Sequence, residues 1–434
     1  MNVVLAKTET GRAVESLFTV ARDRLPGTDK VADLRRRAFE VHERAGLPHR
    51  RIEEWKYTDL RVLMREVKPL AAKPDAAALK LAKAAMTPVA IAGAAKLVLV
   101  DGVFAPELSD KAPAGVSIGS LREALEKGAG DLLEASATDA MISLNAALAT
   151  DGVVVSVADG AAVAAPLQLV HVAIASSASA FTRSRVKIGK GARVTLVENF
   201  VAGDGAKAYQ AHDAVLLSVG DQAELTQVRL MADATDAVNI SSAIIAVGAR
   251  VKFNLFNMTA GGAVSRYQGF VTLAGEGSEL NVNGINLLKG TQHGDTTLVV
   301  DHAVPQCTSR EVFRAVIDDR AHSVFQGRII VRPHAQKTDG KMMTRALLLS
   351  DEAEADNKPE LEIFADDVQC GHGATAGALD PGLKFYLMSR GIPPAEAEAL
   401  LVQAFVGEVI EEIAHEGIRE ALTNAALTWL ESRS

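Results

Sequence analysis

Four short segments share one form: an apolar run, a glycine, one or more small or charged residues, and a second apolar run. They are Val186–Val194, Leu217–Leu225, Ile245–Val251 and Val271–Leu280. Their markers Gly189, Gly220, Gly248 and Gly275 stand 31, 28 and 27 residues apart. A unit that short cannot bury its apolar face alone and must stack on the next, so the period predicts a repeat architecture. The runs are strand-length and rich in Val, Ile, Leu and Thr, which excludes helical repeats. A propeller blade would need about 40 to 50 residues. A parallel β-helix fits the spacing, its short strands joined by Gly or Asn corners. Asn254, Asn257, Asn281, Asn283 and Asn286 are the expected corner or ladder residues. An antiparallel sandwich stays open, because Gly-Asp and Gly-Glu also make hairpins.

On either side the texture changes. Asp29 to Ala45 sets Val31, Leu34, Phe39 and Val41 among charges, the pattern of an amphipathic helix. Arg51–Leu60 carries one of two tryptophans and one of four tyrosines and reads as a helix end packing aromatics on a neighbour. Lys73–Lys83 is a linker or loosely held helix. Lys96–Phe104 reads as strand, Asp-Gly turn, strand, and Ser120–Ala149 returns to helical spacing. After Asp380-Pro381 the chain is helical, with a stop at Arg390-Gly391 and a new start at Pro393-Pro394. The stripes Leu400, Leu401, Ala404, Phe405, Val409, Ile410 and Ile418, Leu422, Leu427, Trp429, Leu430 suit a partner as well as the chain's own core. The expected division is residues 1–90 helical, 91–150 mixed α/β, 151–378 β-helix and 379–434 helical.

The chemistry is sparse. No G-x-x-x-x-G-K-[ST] or H-E-x-x-H occurs, and Gly275-Glu-Gly277 lies between strands. A β-helix can house a polysaccharide-cleaving enzyme, but two Trp and four Tyr leave few sugar platforms. That enzyme and a purely structural repeat protein are the alternatives. What stands out is Cys370-Gly371-His372. In an extended stretch both side chains project from one face, about 6 to 7 Å apart. Thiolate and imidazole are ligands for zinc or iron–sulfur species, yet two ligands are half a site. Another chain, Cys307 or water would complete it. The competing reading of Cys370 is a small buried hydrophobe, and of His372 a loop residue.

The net charge of −8 gives no field to attract nucleic acid, so none is expected as a partner. No run near 18 apolar residues lacks charges, so no membrane span is expected. Two cysteines fit a reducing compartment, and Met1–Lys7 has no signal-peptide pattern. The cytoplasm is the expected location.

Arg345–Asp351 and Lys358–Thr375, with Lys337–Gly340 upstream, resemble the hallmark of the SufB/SufD family of iron–sulfur cluster assembly proteins. Glu54–Leu60 is similar to that family's N-terminal helical region, and Phe385–Ile392 to the start of its C-terminal helices. The low cysteine count and the wording Cys-Gly-His-Gly-Ala-Thr, where SufB-like chains tend to have Glu-His-Glu-Ala-Thr, match the SufD-like branch. Gly371 stands where Ser is familiar. The resemblance implies a right-handed parallel β-helix flanked by helical domains, and a non-catalytic scaffold complexed with SufB and the ABC-type ATPase SufC. It implies no permanent cofactor but a transient iron–sulfur cluster at the SufB interface, with His372 first and Cys370 second as ligands. It also implies that the ATPase docks on the C-terminal helices, at Phe385, Tyr386, Arg390 and Phe405. A β-helix end with exposed strands favours pairing, and whether the isolated chain is a homodimer stays open.

Overall fold

The computed structural model describes residues 9–136 and 139–433. From Leu167–Ala173 onward, consecutive strands alternate between two sheets, and each bonds in parallel to the strand two places along. Thr308–Ile317, for example, lies against Asp339–Leu348, and that strand against Gln369–Gly377. The result is a parallel β-solenoid, mainly β, with helical regions at both ends of the chain. The sandwich alternative is therefore set aside. Among the described residues, antiparallel pairing occurs only where the solenoid begins, between Ala95–Val100 and Val103–Phe104 and between Val116–Ser120 and Val153–Val157.

The glycine period is one coil. The Gly220 N–H donates to the Ile188 carbonyl at 2.9 Å, Gly248 to Val219 at 2.9 Å, and Gly275 to Val247 at 3.1 Å. Successive corners approach so closely that a Cβ on Gly275 would lie 2.0 Å from the Ala249 nitrogen. The five asparagines, by contrast, lie within strands rather than at corners. Asn254 and Asn281 do form a ladder, Nδ2 to Oδ1 at 3.0 Å. Asn257 is buried with neither amide atom partnered.

One apolar core fills the space between the sheets, from Leu97 and Val153 through Phe253 and Val282 to Met342. Both outer sheet faces are also covered. Helix Ala76–Ala85 and the C-terminal helices Pro394–Ile410 and Glu416–Glu431 cover the ten-stranded sheet. There Val402, Val406, Ile418, Leu422 and Trp429 meet Val197, Phe256 and Val316. Of the stripes left open between partner and core, Phe405, Val409, Ile410, Ile418, Leu422, Trp429 and Leu430 face the core, while Leu400, 39% exposed, and Ala404 are open to solvent. The N-terminal helices Glu9–Ala21 and Lys30–Ala45, with Ala140–Leu148, cover the other sheet through Phe181 and Ile240.

Within Lys30–Ala45 the buried set is Val31, Arg35, Phe39 and His42, while Val41 is 40% exposed. The expected stripe misplaced Val41 because the inward face recruits two polar residues. Arg35 donates to the Pro26, Ala146 and Ala147 carbonyls, and His42 Nδ1 lies 2.8 Å from the Ala140 carbonyl. A helix terminus presents unsatisfied carbonyls, and Arg35 serves them at the end of Ala140–Leu148.

The Arg51–Leu60 segment is a strap: a 3₁₀ turn at Glu53–Trp55, then helix Leu60–Leu63. Trp55, 2% exposed, lies under the Arg266 guanidinium at 3.8 Å. Arg266 is fully buried, pairs with Asp295 and donates to the Glu54 carbonyl at 2.8 Å. Asp295 also accepts from the Thr58 hydroxyl. Glu53 pairs with Lys358, and Glu54 lies 3.8 Å from Arg328, so the strap reaches the last coil.

Candidate functional site

The solenoid ends on two strands, Glu354–Ile363 and Gln369–Gly377, one closing each sheet. Each is bonded on one side only, leaving two parallel edges of unpaired backbone groups. Cys370 and His372 stand on the second of these strands. Cys370 pairs in register with Gly340 and His372 with Met342. Met342 belongs to the inter-sheet core and Cys370 packs against it, so both side chains share the core-facing side of the final coil. Cys370 is half-buried and His372 exposed. Ile363 and Phe364, 42% and 59% exposed, lie where the facing strand ends.

Burial above all holds the Cys370 thiol above its ordinary value. The Asp339 and Glu311 carboxylates add to the effect and a backbone hydrogen bond at Gly340 opposes it. The isolated chain therefore presents a thiol. Cys307 does not complete the pair: it is fully buried below, bonded from Sγ to the Gly275 carbonyl at 3.4 Å, and both cysteines are free. The nearby histidines have other partners. His302 lies 2.9 Å from the Ser309 hydroxyl, His322 2.8 Å from Asp356, and His293 2.9 Å from the Thr58 hydroxyl. His334 is exposed.

Among the described residues, the one group of three His/Cys/Asp/Glu ligand atoms within 4.8 Å lies elsewhere, at His171, Glu198 and Asp213. Arg229 already occupies that position, paired with Glu198 and 3.8 Å from Asp213. A cation there would meet the guanidinium, so the group is a buried ion-pair network.

The four expected docking residues divide. Phe385 and Tyr386, 72% and 54% exposed, project from helix Pro381–Ser389, which buries no residue. Arg390 follows that helix and lies 4.9 Å over the Tyr386 ring. Phe405 is half-buried at the joint between helix Pro394–Ile410 and the sheet. Arg314 stacks over its ring at 4.7 Å, bonds its carbonyl and pairs with Glu408.

Sequence reasoning missed Glu311. It is fully buried in the core, 0% accessible, with no well-formed hydrogen bond to either carboxylate oxygen and the Ser309 hydroxyl its nearest polar neighbour on the strand face. Burial pushes its carboxyl up to about 8, against the opposing pull of the Ser309 hydroxyl and Arg310. The signal was parity: residue 311 shares a face with buried Ser309 and Phe313 along one strand.

An open-ended parallel solenoid with helical covers and a thiol–imidazole pair on its last coil defines the class. The comparisons narrow it. Residues 13–169 match the SufBD protein N-terminal region, and residues 171–405 match the SufBD core domain of the SUF system for FeS cluster assembly. The iron–sulfur cluster assembly protein SufD of Escherichia coli is 31% identical over 392 residues, covering 87% of this chain and 88% of that protein. A SufBD family protein of Synechocystis is 30% identical, covering 85% and 84%. SufD of Bacillus subtilis is 29% identical, covering 65% of each. The chain belongs to the SufBD family of iron–sulfur cluster assembly proteins, and its relatives include SufD proteins.

Proposed function

We propose that this chain is a non-catalytic scaffold subunit for iron–sulfur cluster assembly, working in the cytoplasm in a complex with a SufB paralogue and the ABC-type ATPase SufC. One observation carries this reading. The half-buried Cys370 and the exposed His372 share one face of a coil whose backbone edge is unpaired. Two ligands at an open edge suit a site that a second solenoid completes, with the nascent cluster as cargo between the two chains. In this reading His372 and Cys370 are the ligands this chain contributes. ATP hydrolysis falls to the partner, docked on Phe385, Tyr386 and Arg390, with Phe405 setting the pose of the helix behind them.

Two measurements test it. Co-expression with SufB and SufC should yield a complex, and failure of both to bind would refute the scaffold role. His372→Ala should lower cluster yield in the assembled complex at unchanged melting temperature. A yield equal to that of the parent complex would remove His372 from the site.

A further inference from the structure

Glu311 lies in a core-facing column that reads Val282, Glu311, Met342, His372 from one coil to the next. Its neighbours above and below, Met342 and Val282, are apolar and buried. A carboxylate in such a column is expensive unless something pairs with it. Among the described residues the Ser309 hydroxyl and, more weakly, Arg310 favour the ionised form, yet neither oxygen has a well-formed hydrogen bond or a cation of its own. Arg310, next in sequence, is committed to Asp339 at 2.6 Å. Glu311 thus stands two strand spacings, roughly 10 Å, beneath the coil that carries Cys370 and His372. Its carboxylate is one of the two charges that act on the Cys370 sulfur. No side chain fills the intervening rung above Ser309, because that rung is Gly340, where a Cβ would lie 3.4 Å from the Ser309 hydroxyl.

We propose that Glu311 is a positioning residue for a divalent transition-metal ion held at Cys370 and His372: protonated while the pair is empty, it releases its proton to solvent as the ion binds and so supplies from inside the core the negative charge that this pair lacks. The inference rests on the reading of Cys370 and His372 as ligands. The thiolate brings one negative charge and the imidazole none, so a divalent ion on the pair is left under-compensated. The other carboxylate acting on this sulfur, Asp339, is already balanced by Arg310. Glu311 has no such partner, and its field crosses a dry interior where charges act over longer range than in water. A Val or Met there, as in the coils on either side, would pack as well and carry no charge. The unpaired acid marks a position kept for the site rather than for the fold.

The test is a Co²⁺ titration of the purified full chain, followed by thiolate-to-cobalt charge-transfer absorption. With Cys307 fully buried, the band reports Cys370. Glu311→Gln should weaken Co²⁺ binding about 10- to 100-fold, the usual effect of losing a residue that supports a metal site from behind its ligands. Glu311→Asp should recover part of that loss. Metal-free Glu311→Gln and Glu311→Met should melt at or above the parent temperature, since an unpaired buried acid has been removed. Parental Co²⁺ affinity in Glu311→Gln, with Cys370→Ala and His372→Ala both weakened, would overturn this inference alone. An undiminished titration in Cys370→Ala and His372→Ala would overturn the ligand reading and this inference with it.

Discussion

The strap that joins the N-terminal region to the solenoid turns on one buried ion pair, and removing half of it should do more harm than removing the whole. Asp295→Ala leaves the Arg266 guanidinium buried and without its carboxylate, while Thr58 loses its acceptor. Stranding one partner of a buried pair costs about 3–5 kcal/mol. Replacing both, as Arg266→Met with Asp295→Leu, removes the charges together. What is then lost, beyond the Thr58 acceptor that both variants give up, is the hydrogen bond to the Glu54 carbonyl, about 1 kcal/mol, and the stacking on Trp55, about 0.5–2 kcal/mol. The double variant should therefore be the more stable of the two. The chain has only two tryptophans, so Trp429→Phe leaves Trp55 as the sole reporter of the strap. Urea unfolding in that background, read by Trp55 emission and by far-ultraviolet circular dichroism, separates strap release from loss of the sheets. Asp295→Ala should expose Trp55 at lower urea than the sheets unfold. A double variant that loses as much as or more than Asp295→Ala would refute the argument, because the cost would then lie in packing rather than in an unpaired charge.

Two further outcomes follow from the packing. Burial lowers His171 and His212 to about 3 and His293 and His302 to about 4, each from 6.5. The unfolded chain takes up these protons first, so stability is present above pH 6.5 and falls as the pH drops toward 4, by up to about 1.4 kcal/mol per pH unit for each histidine. Glu311 runs the other way, losing stability as pH rises from 4.5 toward 8. Urea midpoints at pH 7, 6 and 5 should decline, and Glu311→Gln should keep that decline; a flat profile would refute the buried-neutral assignment. Arg314→Ala should loosen helix Pro394–Ile410 and raise hydrogen exchange across residues 394–431 by about 1–3 kcal/mol in opening free energy, with the β-solenoid unchanged.

The solenoid was legible because its corners repeat: Gly189, Gly220, Gly248 and Gly275 mark close approach between coils, which only a residue without Cβ allows. Strand parity was harder to read. Both faces of many strands are buried, one between the sheets and one under helices, so the apolar–polar alternation that assigns faces is erased. Arg266, Glu311 and Asn257 look like surface residues in a strand sequence and lie instead in the interior. In the same way Val41 and Arg35 exchange expected places, because Arg35 finds backbone carbonyls that no local pattern reveals. Phe405 reads as one apolar residue in a stripe, and only the fold shows Arg314 clasping it. The pairing of Cys370 with His372 was visible because it depends on strand alternation alone.

A stack of coils holds together by nearest-neighbour contacts, and its terminal member has half of them. Among the described strands Gln369–Gly377 bonds only to Asp339–Leu348, so the residues proposed to hold the cluster ride on a terminal layer supported from one side. Their order is then a joint property: whatever adds a coil to this end adds the missing neighbour to Cys370 and His372 and lowers the entropy of both in the same step. Affinity for that partner and rigidity of the site become one quantity measured twice.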